Sequence, residues 1–208
     1  MAKYYYVSSW TDDSMENIPL WYMYTNRLRG VRIEADSDFV SLETDEDDRI
    51  TNITNKDLIA FPCVHEVLDD FLVPVNYADE IEPCITNVRG FINSDAYNAI
   101  GRTKPTAWRF QNEVRFRIRG IEKSQMMKSG DNEFIKFSNS IMHNKPNRIA
   151  FADIEFRISN LINANFMLGL PLIKQIFEEL ESLVNKYIPD FKGELQKSNI
   201  HMRFITKS

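Results

Sequence analysis

This 208-residue chain is predicted to adopt an α+β fold, a mostly antiparallel sheet with a long C-terminal amphipathic helix packed on it. Three observations carry that prediction. Several segments alternate apolar and polar residues with period two, the spacing of half-buried strands. One segment near the end, Pro171–Tyr187, repeats its apolar residues at helical spacing. Strands fall early and late with few helices between them, which argues against regular βαβ units. The length fits a single domain spanning residues 1–208.

The elements follow in chain order. Lys3–Trp10 is aromatic and β-prone, and reads as a strand. Thr11–Ser14 supplies turn and cap chemistry, and Pro19 suits the first turn of a short helix through Trp21, Tyr22 and Tyr24. Val31, Ile33 and Ala35 alternate with Arg32 and Glu34 as a second strand. Asp36–Asp48 carries seven acids and no base; without a glycine for the sharp turn of a calcium loop, it reads as a solvated loop. Phe71, Val73, Val75 and Tyr77 alternate, with Pro74 marking an edge or an end. Ser94–Ile100 reads as a short helix.

Arg109–Arg119 is the most regular stretch. As a strand, it would place Phe110, Val114, Phe116 and Ile118 on one face and Arg109, Gln111, Glu113, Arg115, Arg117 and Arg119 on the other. Lys123–Asp131 reads as a loop, Phe134–Phe137 as a strand, and Ile154, Phe156 and Ile158 mark another. In the C-terminal helix, Ile173, Ile176, Phe177, Leu180, Leu183, Val184 and Tyr187 form the stripe, and Pro189 is the stop. Asn199–Ile205 alternates as a last strand.

Composition narrows the function classes. Hydrophobic residues make up 43% and charged residues 26%, the balance of a globular protein rather than a disordered or fibrous one. The net charge of −5 makes a nucleic-acid partner unlikely. Cys63 and Cys84 are too few for a disulfide scaffold. His65, His143 and His201 are scattered without metal spacing, so no metal site is expected. The N-terminus lacks the apolar core of a secretory signal and no run is long enough to span a membrane, which makes a cytoplasmic protein the simplest reading. No Walker loop or G-x-G-x-x-G motif occurs, which argues against P-loop NTPase and Rossmann dinucleotide binding; the cofactor is unknown.

Four stretches together resemble the bacterial domain-of-unknown-function family 2971. They are Tyr5–Asp13 with Trp21, Tyr24 and Gly30–Asp36; Val75 and Tyr77; Lys104, Trp108, Gln111, Glu113 and Arg115 in a Lys-x3-Trp-x2-Glu-x-Glu-x-Arg pattern; and Leu168, Gly169, Ser198, Ile200 and Arg203 around the long helix. The likeness spans Tyr4–Arg203. It departs from the family at Met23, where His is usual, and at Gln111, where Glu is usual, and the family's front segment has no counterpart ahead of Tyr4. The resemblance implies a strand before the Leu168–Gly169 pair. It brings no established activity.

Two kinds of chemistry compete for the Arg109–Arg119 face. Gln111-x-Glu113 on a strand is similar to the way mono-ADP-ribosyltransferases place their catalytic carboxylate, which stabilises an oxocarbenium-like transition state. Glu113 and Gln111 are then the candidate catalytic pair. Alternatively, residues 102–119 hold six bases and one acid. Guanidinium forks such as Arg115 and Arg117, with Lys104, suit a phosphate, and Trp108 and Phe110 suit base stacking. Trp21 and Tyr24 are expected on the border of this site. Two function classes follow. One is a nucleotide- or other phosphate-ligand-handling domain, ADP-ribosyltransferase-like in one version. The other is a non-catalytic interaction module with a protein partner, such as a subunit of a bacterial defence or toxin-type system.

Overall fold

A computed structural model of the chain describes residues 2–26, 28–63, 71–79, 100–126, 128, 133–142, 147–170 and 174–200. In chain order the strands are β1 (Tyr5–Thr11), β2 (Val31–Glu34), β3 (Leu58–Pro62), β4 (Leu72–Pro74), β5 (Asn76–Tyr77), β6 (Thr103–Lys104), β7 (Glu113–Glu122), β8 (Asn165–Leu168) and β9 (Leu195–Lys197). The helices are α1 (Ile18–Tyr24), α2 (Glu133–Met142) and α3 (Lys174–Tyr187). The fold mixes helix with sheet, and most strand pairs are antiparallel. Backbone contacts group the chain into two units. One comprises Met1–Asp12 and Leu42–Glu155, the other Asp13–Ser41 and Phe156–Ser208.

The first unit is organised by β7. β1 pairs antiparallel along one edge, from Tyr5 opposite Arg119 to Thr11 opposite Glu113. β3 and β4 share the other edge in tandem, β3 against Ile118–Glu122 and β4 against Val114–Phe116. β5 and β6 form a separate short parallel pair. Tyr4, Phe61, Ile121 and Phe137 make one buried cluster; Ile50, Leu58, Ala60 and Ile118 make another. Phe61 and Phe137 place their rings 5.0 Å apart, which ties α2 to β3.

In the second unit, β2 pairs antiparallel and β9 parallel with β8. α3 closes its core through Val184, with Ile188 just beyond its end, against Ala164 and Phe166. At α1, the Asn17 side chain accepts the Leu20 N–H and Pro19 occupies the first turn, as the sequence predicts. Trp21, 5% exposed, is the buried residue of that helix.

Several expectations are corrected. Arg109–Arg119 is not one strand: Thr106–Gln111 forms a 3-10 turn, Asn112 takes a left-handed conformation (φ 45°), and β7 begins at Glu113. The Asp79 carboxylate accepts hydrogen bonds from the Thr106 N–H and hydroxyl, which supports the start of that turn. Alternation does persist within β7, yet partner strands line both edges and most of its residues on both faces are buried. The polar face is therefore interior rather than solvated. Phe134–Phe137 belongs to α2, because Phe137 and Ser140, three residues apart, bury one side of a helix. The strand expected around Ile154–Ile158 is reduced to a single bridge from Ile154 to Ile53, and Ile158–Leu161 is a 3-10 turn. Phe71–Tyr77 splits into β4 and β5 at Val75.

α3 spans 14 residues, and Pro171–Ile173 lie outside the described residues. So do Cys84, His65, His143, His201, Arg203, Ser94–Ala99 and most of the last predicted strand. Among the described residues no helix is long and apolar enough to cross a membrane, and no three metal-ligating side chains gather.

Candidate functional site

The turn and strand start that replace the expected long strand bring five of the predicted site residues together. Pro105 leads into the 3-10 turn, and the left-handed Asn112 reverses the chain just before β7. Asparagine tolerates that conformation better than most residues. The reversal is held from β1: the Thr11 hydroxyl donates to the Gln111 carbonyl at 2.7 Å, and the Asp12 N–H to the Asn112 carbonyl at 2.9 Å. Gln111 and Glu113 consequently both reach the ammonium of Lys104, which β6 presents.

Glu113 is the centre of the cluster. Its Oε2 accepts from Lys104 Nζ at 2.8 Å and its Oε1 from Arg115 Nε at 2.7 Å. The Tyr77 hydroxyl accepts its backbone N–H at 2.8 Å. Burial alone would raise the carboxyl pKa. Hydrogen bonds from Arg115, Lys104 and Ser9 outweigh burial and hold it down to about 2. Glu113 is therefore an anion throughout the neutral range, with both oxygens engaged by cations.

The arginines of β7 are put to internal use. Arg115 Nη1 donates to the Gly101 carbonyl at 2.7 Å, and Arg117 Nη1 to the Ile100 carbonyl at 2.6 Å. Arg119 donates twice to the Pro62 carbonyl, and its guanidinium lies 5.8 Å from the Phe137 ring centre. Arg117 is 1% exposed, and that burial lowers its pKa. The expectation of Arg115 and Arg117 as open anion forks is thus corrected for Arg117, which is interior; Arg115 keeps a small exposed fraction. Cys63 lies near Arg117 and Arg119, and burial pushes its thiol up to about 11 despite those charges.

The accessible part of the cluster is the 102–110 segment. The Trp108 and Phe110 rings are exposed and lie 6.0 Å apart at a 32° tilt. Lys104 Nζ sits 5.0 Å from the centre of the Trp108 ring, in cation–π range. Two of its three donors serve Gln111 and Glu113; among the described residues the third has no hydrogen-bond partner. Arg109 is exposed beside the two rings in sequence, and Arg102 is half-buried.

Trp21 and Tyr24 belong to the second unit. Trp21 is packed beside Gly169, where an added Cβ would come within 2.9 Å of its ring. It is a core residue rather than a stacking surface. Tyr24 is exposed. Ser9 and Tyr77 fall in stretches that carry the resemblance but are not among the predicted site residues. Their contacts with Glu113 depend on the register of β1 against β7 and on the Tyr77 hydroxyl meeting the Glu113 N–H, neither of which leaves a local mark. Comparison of the chain with protein-family models, with curated proteins and with solved structures returns no match.

Proposed function

We propose that the first unit is a binding module for a ring-bearing phosphate ligand such as a nucleotide. Trp108 and Phe110 would take the ring, and Lys104 the phosphate. The observation that carries this reading is the pairing of two exposed aromatic rings with an ammonium group held in place by Gln111 and Glu113. A fixed cation beside a stacking surface loses little entropy on binding. The excess of bases over acids between residues 102 and 119 adds a favourable field. The resemblance to the domain-of-unknown-function family rests on the same Lys104, Trp108, Glu113 and Arg115, and is part of this reading.

A transferase version would require Glu113 to release Lys104 or Arg115 and take up a ribose hydroxyl. With both oxygens occupied, binding is the better-supported role. Incubation with labelled NAD and cell extract separates the two: absence of Glu113-dependent labelling removes the transferase version.

Calorimetry with ADP and with pyrophosphate tests the binding site. Trp108→Leu should weaken ADP about tenfold, the scale of one lost stacking contact, and leave pyrophosphate unchanged. Lys104→Ala should weaken both. Equal affinities in all three proteins, or no binding of either compound, would reject the proposal.

One observation favours the second class, a protein-binding module. On α3, Ile176, Leu183 and Tyr187 are exposed at helical spacing, outside the core made by Val184. Leu183→Glu would abolish association with a protein partner without affecting nucleotide titrations.

A further inference from the structure

We infer that the first unit carries a second site, a half-open and mainly apolar pocket for a small aromatic or short-chain molecule, on the sheet face opposite Glu113. Side chains alternate along a strand. Glu113, Arg115 and Arg117 point to the charged side of β7, so Phe116 and Ile118 point to the other. Across from them on β1 stand Ser8 and Tyr6.

Residues 147–154 cross this second face as a strap without helix or strand. Both ends of the strap are pinned. At one end Asn147 Nδ2 donates to the Tyr6 hydroxyl at 2.9 Å and to the Gly120 carbonyl at 3.1 Å, while the Tyr6 hydroxyl donates to the Ile149 carbonyl at 2.9 Å. At the other, the Thr54 N–H donates to the Asp153 carbonyl and the Glu155 N–H to the Asn52 carbonyl, around the Ile53–Ile154 bridge.

Between the pins the strap carries Ala150 and Ala152, too small to fill the space below, and Phe151, which is 65% exposed. A pocket of about 260 Å³, open to solvent on one side, results, lined by Tyr6, Phe71, Phe116, Ile118, Ala152 and Ile154 among others. Pinned at both ends, the strap forms one wall of this half-open pocket.

Size and lining select the occupant. An apolar cavity of about 150 Å³ is enough to take up benzene, and a liquid water accounts for about 30 Å³. The space here accommodates one substituted ring or two fused ones, and is too small for a polypeptide segment. Ser8, also on the lining, supplies the polar contact. Its Oγ accepts from Trp10 Nε1 at 3.0 Å, and among the described residues its own proton has no acceptor. A ligand with an acceptor at one end therefore fits better than a pure hydrocarbon.

Indole and phenol are suitable probes, titrated into the full chain by calorimetry. Saturable binding is expected, with Tm rising as ligand is added. Intermolecular nuclear Overhauser effects should connect the ring protons to the Ile118 and Ile154 methyl groups. Ala152→Phe, which fills the void from the strap, should weaken binding at least tenfold while leaving ADP titrations as in the parent chain. Overhauser contacts to other residues, absence of saturable binding up to millimolar probe, or a folded Ala152→Phe protein with unchanged affinity would each overturn the inference. The Overhauser measurement uses the unmodified chain and decides the matter even if that variant does not fold.

Discussion

Glu113→Gln is expected to lower the stability of the first unit by about 3–5 kcal/mol, the range seen when one partner of a buried ion pair is removed. The amide keeps the carboxylate's shape but not its charge. Lys104 and Arg115, both mostly buried, would remain as two neighbouring cations without their anion. The effect has a pH signature. The folded-state pKa lies near 2, below the ordinary 4.5, so folding favours the ionised form. Stability from Glu113 is complete above about pH 4.5 and is lost as the pH falls from there towards 2. Urea unfolding at a series of pH values should show this decline in the parent chain, and a shallower one in Glu113→Gln. Parallel curves, or a loss below about 1 kcal/mol at neutral pH, would mean that solvent already compensates the two cations.

Gly169→Ala is expected to be strongly destabilising in the second unit, as is Gly193→Ala, whose Cβ would lie 1.8 Å from the Ala164 carbonyl oxygen. At Gly169 the added Cβ would lie 2.1 Å from the Leu28 carbonyl oxygen and 2.9 Å from the Trp21 ring. Leu28 is itself buried and holds a left-handed backbone (φ 74°), so it has little freedom to withdraw. The Gly169 N–H also donates to the Gly30 carbonyl at 2.9 Å, which fixes the two segments at close approach. Overpacking usually costs about 1–3 kcal/mol, and a clash with backbone belongs at or above the top of that range. Gly101→Ala gives a useful contrast. Its Cβ would stand 3.3 Å from a Val7 methyl, and the main penalty is its positive φ of 72°, worth about 1–2 kcal/mol. Thermal unfolding should rank Gly169→Ala well below Gly101→Ala. The opposite order would show that the β8 turn can yield.

Period-two and helical patterns located elements better than they located the core. α1 and β2 fall where the sequence places them, and α3 occupies the C-terminal part of the predicted helix, yet Val31 and Ile33 of β2 and Ile176, Leu183 and Tyr187 of α3 are exposed. The pattern misled at β7, because its polar residues are buried by pairing among themselves and with carbonyls contributed from Pro62, Ile100 and Gly101. No local signal distinguishes a solvated arginine from one that ties down a distant carbonyl. β3 escaped notice because Leu58–Pro62 is apolar throughout and has no alternation to read. For the candidate site, the family-like pattern named Lys104, Trp108, Gln111, Glu113 and Arg115, which the structure brings into contact, but not the left-handed Asn112 that precedes β7 between Gln111 and Glu113.

The interleaved make-up of the two units bears on how a ribosome must deliver this protein. Thr11 bonds to Gln111, 100 residues further on, so the first strand to emerge waits for about half of the chain before it finds its neighbour. The segment 13–41 waits longer still, since its partners begin at Phe156. Folding during synthesis therefore proceeds with unsatisfied strand edges for much of translation, a period in which chaperones would be expected to engage the nascent polypeptide.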